Sequence, residues 1–216
     1  MTPAAEDPFS RFTDVVGAFE DVRDLLGAPN KAVRDKVIDR LDEVCRAFIA
    51  RSPFLVMATA GADGHLDLSP KGDPAGFVRI LDDTMLAIPD RPGNRRADSF
   101  RNLLENPRIG LIFVIPGKTE TLRVGGTARI VRDRALRESL AVQGKVPELA
   151  VAVHVERAFI HCPKCMVRSG LWTPDAWPDH AAVPGIGEAM VRHARLDITA
   201  EELDAIAERE GLKRLY

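Results

Sequence analysis

The sequence predicts a mainly β fold, an antiparallel barrel with helical additions, on three observations. Apolar runs of strand length follow one another in blocks, separated by tight turns. They do not alternate strictly with helices, as a doubly wound parallel sheet requires. Helical periodicity gathers mainly before and after this block.

In chain order, residues 1–12 are polar and proline-bearing, and poor order is expected there. A short helix is predicted over Phe19–Leu26, stopped by Gly27 and Pro29. Lys31–Ile49 carries the clearest helical pattern. Val33, Val37, Leu41, Val44 and Phe48 recur at spacings of three and four with charges between them, and Pro53 ends the run. The period then changes. Phe54–Ala60 is continuously apolar, Ala62-Asp63-Gly64 supplies a turn, and His65–Ser69 alternates as a half-buried partner strand. Gly72-Asp73-Pro74 forces a loop before Gly76–Leu81, and Asp82-Asp83 turns the chain into Met85–Ile88. Four short strands with tight turns predict a meander.

A helix follows over Ala97–Glu105, closed by Asn106-Pro107, then strands over Ile109–Ile115 and Thr119–Val131. Gly125-Gly126 inside the longer strand marks a bulge or a close backbone approach. Arg134–Val142 reads as a helix ending at Gly144, and Leu149–Ile160 as the last long strand. From His161 strand character is lost. Met190–Arg195 and Ala200–Glu210 read as helices, the second opened by a capping box of Thr199 and Glu202. The expected organisation is an N-terminal helical extension (1–52), a barrel core (53–161) and a C-terminal helical tail (162–216), one structural domain overall.

The chain has 216 residues, 45% hydrophobic and 29% charged, enough to bury a core without a disulfide or metal staple. A net charge of -2 excludes bulk binding to nucleic acid or anionic membrane, so any basic function must be local. Residues 1–8 lack the cationic and apolar regions of a signal peptide, and no apolar run approaches the roughly 18 residues that cross a bilayer. Three cysteines, Cys45, Cys162 and Cys165, form no even disulfide framework and point to a reducing, cytoplasmic setting.

The sharpest local signal is Asp90-Arg-Pro-Gly-Asn-Arg-Arg, which places Arg91, Arg95 and Arg96 between a strand end and a helix start. Guanidinium forks match phosphate oxygens, and unpaired N–H groups at a helix start favour an anion. Gly93 and Asn94 let the backbone bend close to a ligand. Alone, such a loop is more often solvated basic surface. Ser69 and Lys71 leave a strand into a loop bounded by Gly72 and Pro74, where a hydroxyl and an ammonium reach a phosphate as readily as they decorate a charged hairpin. Cys162-Pro-Lys-Cys165 has the spacing of half a zinc site or a redox pair. It lacks a second pair and the βα context of a dithiol motif, so packed thiols flanking Lys164 are the plainer reading, and no metal is assigned. Glycine-rich dinucleotide, Walker and Gly-x-Ser-x-Gly motifs are absent.

The ordered set Phe54–Ala60, Asp63-Gly64, Ser69-Pro-Lys-Gly-Asp-Pro, Gly76-Phe-Val-Arg, Ile88-Pro-Asp-Arg-Pro-Gly-Asn-Arg-Arg, Asn102-Leu-Leu-Glu-Asn-Pro-Arg and Glu120-Thr-Leu-Arg-Val resembles the pyridoxamine 5′-phosphate oxidase-like FMN-binding split-barrel superfamily. The Arg-Pro-Gly-Asn-Arg-Arg string and His161-Cys-Pro-Lys-Cys-Met-Val-Arg-Ser-Gly-Leu-Trp narrow the likeness to a bacterial subgroup, over roughly residues 17 to 175. The resemblance implies a six-stranded antiparallel split β-barrel and a homodimer with FMN sites at the subunit interface. It also implies an FMN-dependent oxidoreductase acting on a small, anionic substrate.

Residue by residue, it gives Arg95 and Arg96, after Gly93 and Asn94, the flavin phosphate. Ser69, Pro70 and Lys71 fall on the strand passing the ring and phosphoribityl chain, and Asp90 and Arg91 fall beside the ribityl. Thr121 and Arg123 lie where the oxidase contacts the ring with a glutamine, which this sequence lacks. Lys164, Arg168 and Trp172 are candidates to reach the site from the second subunit. The chain ends Gly211-Leu-Lys-Arg-Leu-Tyr, without the Arg-x-His-type segment with which the vitamin B6 oxidase closes its substrate pocket. No catalytic residue is assigned. Other readings are a flavin carrier or sensor without turnover, and a barrel using deazaflavin F420 or haem.

Overall fold

A computed structural model describes residues 7–216, so residues 1–6 of the polar N-terminal segment lie outside the described residues. The chain forms two compact units, one up to Lys36 and one over Val37–Tyr216. In the first, α1 (Phe19–Leu26) has the expected bounds, and the N–H of Gly27, at φ +71°, bonds the Arg23 carbonyl. α2 (Lys31–Asp35) is opened by Asn30, whose side chain accepts from the Val33 N–H.

The helix expected over Lys31–Ile49 is broken. After α2 the chain is non-helical until α3 (Glu43–Ile49), because backbone groups in between find partners on the second unit's own sheet and turns. Ile38 exchanges both backbone bonds with Ala158 (3.0 and 2.7 Å), and Leu41 donates to the Asp83 carbonyl at 2.6 Å. Asp42 then restarts the helix by accepting from the Cys45 N–H.

Among the described residues seven strands make one antiparallel sheet: β1 (Phe54–Ala60), β2 (Leu66–Gly72), β3 (Arg79–Ile80), β4 (Met85–Pro89), β5 (Arg108–Val114), β6 (Thr121–Val131) and β7 (Ala150–His161). The two-residue β3 takes the count to seven where the resemblance implies six. The order β2-β1-β5-β6-β7-β4-β3 also corrects the meander. β1–β2 and β3–β4 are hairpins, yet β5 inserts beside β1 and β7 beside β4, leaving the hairpins at opposite ends of the sheet. The register of β6 on β7 shifts between Gly125 and Gly126, the expected bulge. A Cβ on Gly126 would lie 1.9 Å from the His154 carbonyl oxygen, so only glycine fits there.

α4 (Asp98–Glu105) and α5 (Arg134–Ser139) follow their expectations within a few residues. α6 (Lys164–Ser169), just after the last strand, has no counterpart among the expected elements. α7 (Ile186–Ala194) begins four residues early, and α8 (Ala200–Arg209) has the Thr199–Glu202 capping box.

Alternation along the strands buries one face: Leu55 and Met57, Leu111 and Phe113, Leu122 and Val124, Val153 and Val155, Leu86 and Ile88. Cys45, Phe48 and Ile49 of α3 join this core. On the opposite face Ala87 and Ala150 pack with Leu140 beyond α5.

The sheet must roll. β2 and β4 stand five steps apart in the order, about 24 Å if the sheet were flat. Instead, Lys71 at the end of β2 is 3.9 Å from Asp90 at the end of β4, and Asp73 takes the Arg91 guanidinium at 2.6 Å. This approach of two non-adjacent strand ends creates the cleft described next.

Candidate anion-binding cleft

The cleft has a volume of about 410 Å³ and lies between β2 and the loop from β4 to α4. Of the residues predicted from the sequence, Ser69, Pro70, Lys71, Asp90, Arg91, Asn94, Arg95 and Arg96 line it. The period of two along β2 half-buries Asp67, Ser69 and Lys71 and exposes Leu66, Leu68 and Pro70, the last two still bordering the cleft.

The arginines differ in their freedom. Arg91 donates from Nε to Asp73 Oδ2 (2.6 Å) and from Nη2 to the Leu140 carbonyl (2.9 Å). Its side chain is 14% exposed and that of Asp73 is 1% exposed, so this pair fastens the loop to β2. Arg96 donates from Nε to Asp98 Oδ2 at 2.6 Å but stays largely exposed. Arg95 makes no hydrogen bond or ion pair among the described residues. It sits at φ +60°, and Ala97, at the start of α4, at φ +58°. Left-handed backbone at two non-glycine residues is costly and is held here by the surrounding loop. Asn94 contributes a tight turn, its Oδ1 accepting from the Arg96 N–H at 3.0 Å.

Five cationic side chains (Lys71, Arg91, Arg95, Arg96 and Arg214) face three carboxylates (Asp67, Asp90 and Asp98) around the cleft. Each carboxylate already has a partner: Ser99 Oγ for Asp67 (2.6 Å), Lys71 for Asp90 and Arg96 for Asp98. The balance leaves positive charge for an anionic ligand. Burial holds the Asp90 carboxyl above its ordinary pKa, against the pull of Lys71 and Arg91.

Several lining residues were not legible in sequence. Asp67, Asp98, Ser99, Phe100, Gly211, Leu212 and Arg214 all reach the cleft. Tyr216 donates its phenolic O–H to Asp73, and the Arg91 guanidinium lies 5.7 Å from its ring. The bond to Asp73 raises the phenol's pKa. These contacts join residues more than 120 positions apart, which no local pattern signals.

The other predicted residues lie elsewhere. Thr121 is buried at the start of β6, opposite His161. Arg123 is exposed on the same strand, its guanidinium 5.4 Å from the Phe159 ring centre. Lys164 and Arg168 are exposed on α6, and Trp172 donates from Nε1 to the Lys118 carbonyl at 2.9 Å. None of the five lines the cleft within one chain. Cys162 and Cys165 are exposed thiols, whereas burial pushes the Cys45 thiol up to about 12. Among the described residues no His, Cys, Asp and Glu group is placed to hold a metal ion, and no helix is long and apolar enough to cross a membrane.

Residues 41–162 match the family profile described as pyridoxamine 5′-phosphate oxidase. No curated protein matches the chain. Similar solved structures include HupZ from Group A Streptococcus (24% identity, 55% of this chain and 92% of that one, TM-score 0.46). An F420 reductase is similar at 17% identity (52% and 94%, TM-score 0.40). HutZ, the heme storage protein from Vibrio cholerae, is similar at 14% identity (56% and 94%, TM-score 0.39).

Proposed function

From the premise that this chain belongs to the pyridoxamine 5′-phosphate oxidase family, we propose that it is an FMN-dependent oxidoreductase acting on a small anionic substrate. The observation that carries the reading is Arg95, a cation without a partner among the described residues, in a loop whose neighbouring cations are held by carboxylates. In this reading Arg95 and Arg96 grip the FMN phosphate, the first directly and the second by exchanging the half-buried Asp98 for a dianion. The Ser69 hydroxyl and the Lys71 ammonium line the path of the phosphoribityl chain. Arg91 is a positioning residue: its Nε and Nη2 donate to Asp73 and the Leu140 carbonyl, and it holds the loop at the height of β2. Asp90 is offset by the Lys71 ammonium at 3.9 Å, which limits its repulsion of an anion nearby.

Bound FMN supplies the hydride-accepting ring, and the chain's part is to place it and set the surrounding charge. A homodimer completes the reading. The outward face of β2, β1 and β5 carries Leu66, Leu68, Phe54 and Ile112, exposed by 72, 69, 39 and 36%. The pairings Ala58↔Leu68, Val56↔Pro70 and Val56↔Ile112 make that face continuous. An apolar sheet face of this kind marks an interface. Across it, Thr121, Arg123, Lys164, Arg168 and Trp172 are proposed to serve the cofactor site of the other subunit.

The test is the absorption spectrum of the purified protein, followed by titration with FMN and assay of NAD(P)H oxidation. The expected result is flavin bands, saturable binding and turnover above the rate of free FMN. Binding without turnover would leave a carrier or sensor. A haem or deazaflavin spectrum, or no binding of FMN, would overturn the cofactor assignment.

A further inference from the structure

The segment after α8 brings a second unpaired cation to the cleft. Arg214 lines it, and its guanidinium makes no hydrogen bond or ion pair among the described residues. Three features fix its place. Gly211 turns the chain at φ +67°, and a Cβ there would lie 3.0 Å from Arg214 Nε and 3.2 Å from its Cζ. The guanidinium therefore folds back over Gly211, where a Cβ would press on it and a side chain would also be strained at this φ. Lys213 tethers the segment to α8 through Asp204 (3.4 Å) and Glu208 (3.8 Å). Tyr216 anchors the other side on Asp73, the buried carboxylate that also holds Arg91.

A cation held between two anchors, facing a cleft with surplus positive charge, is an arrangement for an anion. We propose that Arg214 is an anion-binding residue of the cleft, contacting a phosphate monoester, and that Gly211 and Tyr216 are the positioning residues that present it. This rests on the reading of the cleft as a phosphate site. The phosphate belongs either to the flavin nucleotide or to the substrate, and the chemistry Arg214 offers is the same for both. The Asp73–Arg91–Tyr216 cluster ties the segment to the wall formed by β2 and the Asp90–Arg96 loop, so loop and segment are braced on one carboxylate.

The experiment is calorimetric titration of wild type, Arg214→Gln, Tyr216→Phe and Gly211→Ala with three probes: FMN, riboflavin, and inorganic phosphate, the last on both FMN-free and FMN-loaded protein. Arg214→Gln is expected to weaken FMN at least tenfold with riboflavin unchanged, if the cofactor phosphate is held. It is expected to weaken inorganic phosphate on the FMN-loaded protein instead, if the substrate anion is held. Gly211→Ala keeps the guanidinium but displaces it, and should reproduce the same phosphate-specific loss. Tyr216→Phe keeps the ring over Arg91 and should give a smaller loss in the same arm. Equal losses for riboflavin and FMN, or no loss in any arm, would overturn the proposal. Wild type that binds phosphate but not FMN would sink the flavin reading while Arg214 is judged on phosphate alone. Wild type that binds neither would sink both.

Discussion

Asp73 takes a hydrogen bond from Arg91 on one oxygen and from Tyr216 on the other, at 1% side-chain exposure. Removing one partner of a buried pair strands the other, so Asp73→Ala is expected to cost about 3 kcal/mol, read as a lower urea midpoint. An unchanged midpoint would mean the pair does not brace the loop. Gly126→Ala should be at least as severe, about 3 kcal/mol or more, because its Cβ would meet the His154 carbonyl, which belongs to a paired strand and cannot yield. At this scale the sequence was legible where chemistry is local. Arg95, Arg96, Ser69 and Lys71 stand out because phosphate recognition needs forked cations and small donors beside flexible backbone. Asp73, Arg214 and Tyr216 did not stand out, since their meaning arises only when the end of β2 and the segment after α8 are brought together. The local pattern also counted Arg91 among the ligands; it lines the cleft, with Nε and Nη2 donating to Asp73 and the Leu140 carbonyl.

The elements show where periodicity suffices and where it fails. β1 and α1 match their apolar patterns residue for residue. The pattern over Lys31–Ile49 is equally helical, but the pairing of Ile38 with Ala158 draws that stretch onto β7 and Asp42 must restart the helix. Asp42→Ala is therefore expected to cost about 1 kcal/mol at neutral pH in denaturant unfolding. The Cys45 N–H holds the Asp42 carboxyl below its ordinary pKa, so the cap's contribution is complete above the ordinary aspartate range. It is lost as pH falls through the depressed folded value, and the gap between variant and wild type should close there. The cysteines give a sharper contrast. Cys45 faces the core with its thiol pushed up to about 12, whereas Cys162 and Cys165 are exposed around α6. A thiol reagent at pH 8 should label two cysteines at once and the third only on unfolding. Rapid labelling of all three would contradict the placement of α3. The meander expectation failed for a related reason: tight turns fix hairpins, while the neighbour of each hairpin is chosen by contacts far along the chain.

For the whole molecule, the rolled sheet converts two distant strand ends into one charged cleft and leaves an apolar outer face on β2, β1 and β5. Leu68→Glu on that face should convert a dimer into a monomer by sedimentation, with the secondary structure intact. A wild-type chain that sediments as a monomer would contradict the interface. The family frame and the barrel class were legible from motif order and strand blocks, because turns and cations keep their places in the chain. The central claim concerns the anion, and it is tested most directly by the ratio of FMN to riboflavin affinity in wild type and in Arg95→Glu. The account predicts that wild type prefers FMN by at least a hundredfold, about 3 kcal/mol for charge-assisted phosphate contacts, and that Arg95→Glu abolishes the preference. Equal affinities in wild type, or a preference that survives Arg95→Glu, would contradict it.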